Sequence, residues 1–223
     1  MTASPADPLA ASPWAARPVR EALVRASTSR DPAPGRRPDA GSAASGESFR
    51  AVLAAARASS EWAWSELYRG LAPTVLGYLR ARGAPEPEDV AGEVFLQAVR
   101  DLHRFDGDER AFRAWLLTIA HHRLLDARRR LARRPVEPAP DDVLDARSPT
   151  GDAEQEALRS LDLAEVRALL SGLSADQESV LVLRIVGDLT VEEVARVLGK
   201  RTGAVKALQR RGLLALQQGL SDE

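Results

Sequence analysis

The sequence has no cysteine, and its one methionine is Met1. Without thiols there is no disulfide framework and no thiolate metal site, which fits a reducing compartment. Histidine is scarce too: His103, His121 and His122 are the only three. The last two are adjacent, so on a helix they point about 100° apart and cannot share one ion as an i, i+4 pair does. Neither a metal nor another cofactor is expected. No apolar run approaches the roughly 20 residues that cross a bilayer, and the N-terminus lacks the short apolar core of a secretory signal. The expectation is a cytoplasmic protein with no membrane insertion. A glycine-rich phosphate loop and a nucleophile elbow are both missing, and Asp89 and Glu93 have no patterned base or metal ligand beside them. Enzyme chemistry is therefore not expected. Aromatic residues are few, and none lies beyond Trp115. The C-terminal third must build its core from Leu, Val, Ile and Ala.

An excess of one charge is absent as well, with 31 basic and 32 acidic side chains in 223 residues. Their distribution is more informative than their sum. Arg123, Arg128, Arg129, Arg130, Arg133 and Arg134 crowd the stretch before Pro135. Lys200, Arg201, Lys206, Arg210 and Arg211 crowd another, with no acid among them. Between these stretches, residues 137–165 hold nine acids against Arg147 and Arg159. Such blocks suggest two basic modules separated by an acidic spacer.

Seven of the 14 prolines fall before position 40, within an Ala/Ser/Pro/Arg-rich segment. Residues 1–48 cannot bury enough apolar surface to offset their ordering entropy, and they read as a disordered extension with room for a short helix near "WAARPVREALVRA". From Phe49 onward apolar residues recur at helical spacing: Trp64, Leu67, Tyr68, Leu71, Val75, Tyr78 and Leu79. Pro73 is expected to kink this run or to begin a new helix. "GAPEPEDV" is a turn followed by a helix start, after which Val90, Val94, Ala98 and Leu102 share one face. Asp108 is placed to cap the next helix, which stops at Pro135. Residues 135–157 read as a linker. Helical spacing resumes near Leu158, with capping boxes at Ser174/Gln177 and Thr190/Glu193, a helix stop at Gly187 and a turn at Gly199. A last helix runs from about Thr202 to Gln218 with Val205, Leu208, Gly212 and Leu216 inward. No strand signal competes. The fold class is all-α: two small helical domains, residues 49–134 and 158–219.

Two stretches carry candidate chemistry. Residues 190–217 have the layout of a helix-turn-helix, whose second helix enters a major groove. Lys200, Arg201, Thr202, Lys206, Gln209 and Arg210 crowd the N-terminal part of that helix. Arg and Gln can read base edges, and lysines suit phosphates. The competing reading is the solvated face of an ordinary helical hairpin. In "FRAWLLTIAHHRLLDARRRLARRP" aromatics precede arginines, as in proteins that hold single strands by charge and stacking. Here the competing reading is a core aromatic cluster followed by a solvated, dipole-favoured helix end.

Together these stretches resemble the extracytoplasmic-function (ECF) group of bacterial RNA polymerase sigma factors, over residues 49–134 and about 158–217. "PEDVAGEVFLQAVRDLHRFDG" is similar to the stretch that docks on the clamp helices of core polymerase. "FRAWLLTIAHHRLLDARRR" is similar to the stretch that melts and reads the inner promoter element. "LSADQESVLVLRIVGDLTVEEVARVLGKRTGAVKALQRRGLLAL" is similar to region 4, which reads the distal one. The resemblance implies a promoter-specificity subunit whose partners are core RNA polymerase (the beta-prime clamp helices and the beta subunit) and promoter −10 and −35 DNA. It also allows an anti-sigma partner. It implies core binding by Asp89, Glu93, Gln97 and Arg100, which face away from Val90, Val94, Ala98 and Leu102 and so are free for a partner. It implies DNA binding by Arg113, Trp115, His122, Arg123, Arg128, Arg129 and Arg130 in the first domain, with a flipped base received between about Asp106 and Trp115. In the second domain it implies DNA binding by Lys200, Arg201, Thr202, Lys206, Gln209 and Arg210. This chain departs from the pattern at Gly92 and His122, where Gln and Asn are frequent in the family. It departs again at Arg201, where a small N-cap is usual, so that Thr202 is expected to cap instead. A stand-alone helix-turn-helix regulator would need neither the acidic docking helix nor the aromatic-to-arginine helix. A helical interaction protein that binds no DNA would leave both basic stretches without a use.

Overall fold

The structure, a computed structural model, describes residues 42–133 and 166–221. Among these there are helices and connections but no strand. Helix α1 spans Ser42–Arg57, α2 Glu61–Ala81 and α3 Pro87–Asp101; a 3-10 turn, Leu102–Arg104, leads to α4, Glu109–Arg133. Residues 166–171 are helical and precede α5 (Ala175–Ile185), α6 (Val191–Leu198) and α7 (Thr202–Ser221). Helix α1 begins ahead of the Phe49 boundary expected from the sequence. Residues 1–41 of the expected extension and the whole expected linker, 135–157, lie outside the described residues.

The helix starts follow local chemistry. Asp108 accepts from the Ala111 N–H at 2.7 Å, satisfying one of the first-turn donors of α4. At α5 the Gln177 N–H donates to Ser174 Oγ at 3.3 Å, and the Ser174 N–H donates to Gln177 Oε1 at 2.8 Å. At α6 the Thr190 and Glu193 pair repeats this exchange at 3.2 and 2.6 Å. Each such cap contributes about 1 kcal/mol. Gly199 closes α6 in the left-handed conformation, φ 62°, at little steric cost because it has no Cβ.

Of two local expectations, one is narrowed and one is overturned. Pro73 does not begin a new helix, because α2 runs through it. The missing N–H frees the Arg69 carbonyl, which sits on an exposed turn, while Leu71, Val75, Tyr78 and Leu79 on the other side stay buried. Packing of that buried face outweighs the local cost. Nor does Thr202 cap α7: the first intrahelical bond runs from the Val205 N–H to the Arg201 carbonyl at 3.1 Å, so Thr202 is already the first helical residue.

The first four helices close around a ring cluster. Phe112, 1% exposed, has its ring centroid 5.7 Å from Phe49, 5.2 Å from Phe105 and 5.3 Å from Trp115. The Tyr68 and Phe95 rings, 4.7 Å apart, tie α2 to α3. The Trp64 indole N–H donates to the Ala56 carbonyl at 3.1 Å, fastening α1 to α2. Val90, Val94, Ala98 and Leu102 are all buried, as their spacing predicts. In the second group α7 lies on α5 at Gly212, where a Cβ would stand 2.9 Å from Leu181 Cδ1. The two groups share one continuous apolar core. They meet at Gly187, where a Cβ would come within 2.8 Å of Leu117 Cδ1 and 2.6 Å of the Leu183 carbonyl oxygen.

Gly92 is different. It is exposed in the middle of α3, with nothing within 4 Å of where its Cβ would be. Gly92→Ala is expected to raise stability by roughly 0.5–1 kcal/mol, by restricting the unfolded chain. Urea unfolding of the two proteins checks this; a loss of stability would contradict it.

Candidate nucleic-acid interface

The six arginines before Pro135 do not form one solvated stripe. Arg123 donates to Gln97 Oε1 at 2.8 Å and lies 3.9 Å from Glu93. Arg128 turns inward and donates to the Arg82 carbonyl. Arg130 forks onto Glu93 with contacts of 3.1 Å. Arg129 pairs with Asp126 at 2.9 Å and remains exposed, as does Arg133. Arg134 lies outside the described residues.

This corrects the expectation for α3. Glu93 and Gln97 are not free for a partner: α4 holds both, and Gln97 also donates to Asp101. Asp89 and Arg100 are exposed. Between them stands Leu96, 58% exposed, seven residues after Asp89 and four before Arg100, hence on the same face. Val99 flanks it at 50% exposure. The sequence pattern missed this apolar centre because an exposed Leu and Val look like core until the opposite face is seen to be filled.

Between α4 and α6 lies an open cleft of about 310 Å³. Phe105, Asp106, Trp115 and Thr118 line one side, and Glu193 and Arg196 the other. Trp115 is half-buried, its ring tilted by 37° against that of Phe105 with the centroids 5.2 Å apart. Arg113 is half-buried and lies 3.7 Å from Asp188; its Nε is buried without a partner. Arg110, which the sequence did not single out, forks onto Glu193 at 3.0 and 3.3 Å. Burial raises the Glu193 carboxyl, but the hydrogen bonds from Arg110 and Thr190 outweigh it, so Glu193 titrates below the usual carboxylate range.

Behind the cleft, two groups that no local pattern announces sit at the junction of α2, α4 and α5. Arg82, 2% exposed, pairs with Glu178. Tyr78 OH and His121 Nδ1 are 2.8 Å apart. Burial pushes the Tyr78 hydroxyl up to about 12, so it keeps its proton and donates to the neutral ring. Burial pulls His121 down to about 4, helped by the charges of Arg82, His122 and Arg128 and opposed by Asp176. The unfolded ring titrates near 6.5, so between about pH 6.5 and 4 the unfolded chain binds the extra proton. Stability from this group is complete above about 6.5 and is lost as pH falls toward 4. His121→Gln is expected to flatten the pH dependence of stability in that window, as read by urea unfolding at stepped pH. An unchanged slope would contradict the assignment. His122, by contrast, is exposed on the outer surface of α4.

In the second group, α6 and α7 flank the Gly199 turn as a helix-turn-helix. Arg201, Thr202, Lys206 and Arg210 are exposed and Gln209 is half-buried. Lys200 is half-buried and paired with Asp176 at 2.8 Å. Among the described residues no acid lies within ion-pair distance of Lys206 or Arg210. Among the described residues this helix end is an open cationic surface, whereas the arginines of α4 are largely engaged from within. No group of potential metal ligands occurs among the described residues.

Comparison with known proteins agrees with this layout. Residues 67–134 match the family model for Sigma-70 region 2, and residues 163–216 match that for Sigma-70, region 4. The ECF RNA polymerase sigma factor SigD of Mycobacterium tuberculosis is 36% identical over 184 residues, covering 80% of this chain and 84% of that protein. The ECF RNA polymerase sigma factor BldN of Streptomyces coelicolor is 34% identical over 170 residues, covering 75% of this chain and 64% of that protein. The solved structure of CnrH in complex with the cytosolic domain of CnrY superimposes with a TM-score of 0.59 at 26% identity, covering 78% of this chain and 98% of that one.

Proposed function

The chain belongs to the ECF family of RNA polymerase sigma factors, and on that premise we propose how its two helical groups divide the work. It is an alternative sigma factor, a promoter-specificity subunit whose partners are core RNA polymerase and promoter DNA. In our reading it contributes no catalytic group, and it works in the cytoplasm beside the polymerase. Among the described residues no helix is long and apolar enough to cross a membrane.

Residues 49–134 act as region 2. The exposed face of α3 meets the beta-prime clamp helices, with Asp89 and Arg100 supplying charge around Leu96 and Val99. Glu93 and Gln97 serve this face indirectly, by fixing Arg130 and Arg123. The cleft of Phe105 and Trp115 receives a base from the −10 element as the duplex opens, and Arg113, His122, Arg123 and Arg129 line the path of the strand, while Arg128 and Arg130 are held on the Arg82 carbonyl and on Glu93. Residues 158–219 act as region 4, with Lys200, Arg201, Thr202, Lys206, Gln209 and Arg210 at the −35 element. CnrH was solved with a bound partner chain, and a similar inhibitory partner for this protein is part of the same reading.

The observation that carries the proposal is the union, in one chain, of an exposed apolar patch on α3, Leu96 and Val99, and a helix-turn-helix on which Lys206 and Arg210 are exposed with no acid within ion-pair distance among the described residues. The test is transcription with purified core polymerase on genomic fragments. Initiation at discrete sites is expected only when this chain is present. Asp89→Lys is expected to weaken its pull-down with core by roughly tenfold or more, since like charges across an interface cost several kcal/mol. Unchanged pull-down would remove α3 from the docking surface.

A further inference from the structure

The exposed side of α3 has an order that exposure alone does not require. Asp89, Gly92, Leu96 and Val99 are all exposed, and they follow one another at intervals of three, four and three residues. That alternation is the a/d spacing by which one helix meets another along its length. In such packing a side chain of the second helix drops into a hole bounded by four residues of the first. On α3 the four are Asp89, Gly92, Glu93 and Leu96. Arg130 and Arg123 fix Glu93 as one wall of the hole. Gly92 stands opposite it and supplies no side chain.

The fold itself has no use for a glycine at this position. Its backbone is ordinary helix, unlike that of Gly83, Gly107 and Gly199, whose φ values are positive. A Cβ there would meet nothing within 4 Å, unlike one at Gly187 or Gly212. After proline, glycine is the least favourable residue in a helix interior. Gly70 of α2 is equally open, but its neighbours Glu66 and Arg69 pair with each other at 3.1 Å, where those of Gly92 are Asp89 and exposed Leu96. An empty hole beside an exposed leucine serves only something outside the chain.

We propose that Gly92 is the specificity-determining position of core docking: α3 presents half of a short coiled-coil seam, and a helix of core polymerase lies along it with a large side chain seated in the hole that Gly92 leaves beside Leu96. The proposal rests on the reading of α3 as the core-docking helix and adds the geometry of the contact. Two apolar side chains in so short a seam do not pair two free copies of this chain. Such pairing needs the spacing to run through three or four heptads and a specific interface to bury about 1,200 Å² or more. A large partner that holds the chain elsewhere as well needs no more than this seam. Charge fits a helical partner too. Asp89 near the start of α3 and Arg100 near its end are exposed, with no ion pair among the described residues. They match a helix that sets a base beside the first and an acid beside the second.

The test varies the size of residue 92 in the full chain. Gly92→Leu fills the hole and Gly92→Ala fills part of it. Titration against immobilised core polymerase is expected to show binding weakened by roughly tenfold or more for Gly92→Leu, the consequence of overpacking a fitted contact, and by a smaller factor for Gly92→Ala. Urea unfolding is expected to show neither variant less stable than the starting protein. Affinity falls while stability does not, which a merely structural glycine would not give. Gly70→Ala is expected to leave core binding unchanged. Equal or tighter core binding by Gly92→Leu overturns the proposal alone. So does sedimentation showing that the free chain pairs with itself and that Gly92→Leu breaks the pair, since the seam then belongs to a second copy. Failure of the starting protein to bind core at all overturns the sigma-factor reading and this proposal with it.

Discussion

Replacing Phe112 with alanine is expected to destabilise the protein by roughly 3–5 kcal/mol, the range for truncating a large aromatic in a tight core. The ring is almost wholly buried and touches three other rings, one from α1, one from the loop before α4 and one from α4 itself. Neighbours fixed on three elements cannot collapse together into the space left behind. Against a total stability of about 5–15 kcal/mol, the loss leaves a marginal fold. A fall in melting temperature of the order of 10 °C is expected for a chain of this size. Trp62→Ala serves as the control, because that ring is 58% exposed and its loss should move stability by no more than about 0.5 kcal/mol. Thermal unfolding followed by circular dichroism separates the two. Equal shifts would mean that Phe112 is not the keystone of the ring cluster.

Substitutions on the two basic surfaces should give different signatures. Arg210→Ala or Lys206→Ala is expected to cost roughly 1–3 kcal/mol on the preferred distal element and to relax the preference at one base position. Arg210 is the stronger candidate, since its fork can bond two acceptors on one base. Arg129→Ala and Arg133→Ala should instead weaken binding alike on all promoters. Each should reduce the salt dependence by about one unit of slope, the mark of a lost phosphate contact. Arg128 and Arg130 belong to neither class, being committed to the Arg82 carbonyl and to Glu93. Initiation on a promoter set randomised at the distal element, repeated at several salt concentrations, reads both effects. A uniform loss for Lys206 and Arg210, with base preference intact, would show that α7 only grips the backbone.

The sequence made legible most of what is decided within one or two turns, the Thr202 cap being the exception. Asp108, Ser174 with Gln177, and Thr190 with Glu193 cap their helices as read, because each bond spans three residues and needs no distant partner. The Val90, Val94, Ala98 and Leu102 face was legible for the same reason. Pairings across the fold were not. Arg130 finds Glu93 across 37 residues and Arg110 finds Glu193 across 83, and nothing beside either arginine in the chain marks which carboxylate it will meet. The expectation that Glu93 and Gln97 were free failed there: helical geometry showed which way they point, but not that α4 lies in that direction. Pro73 left two outcomes open in the sequence, a kink or a new helix, and the new helix is not formed. Its local cost was counted, while the buried face that carries α2 past it depends on helices elsewhere.

The confinement of every aromatic residue to positions up to Trp115 has a spectroscopic consequence. Indole emission comes from Trp62, Trp64 and Trp115 of the first group and from Trp14 outside the described residues, while α5, α6 and α7 contain no chromophore of that kind. Far-ultraviolet dichroism sums over both groups. One unlabelled sample thus carries two independent observers of the same melting event. If the shared core and the Arg82–Glu178 contact weld the groups into one cooperative unit, the two curves superimpose. If the second group melts by itself, dichroism falls first and emission changes only through Trp115, which lines the cleft against α6, while Trp62 and Trp64 report the later melting of the first group.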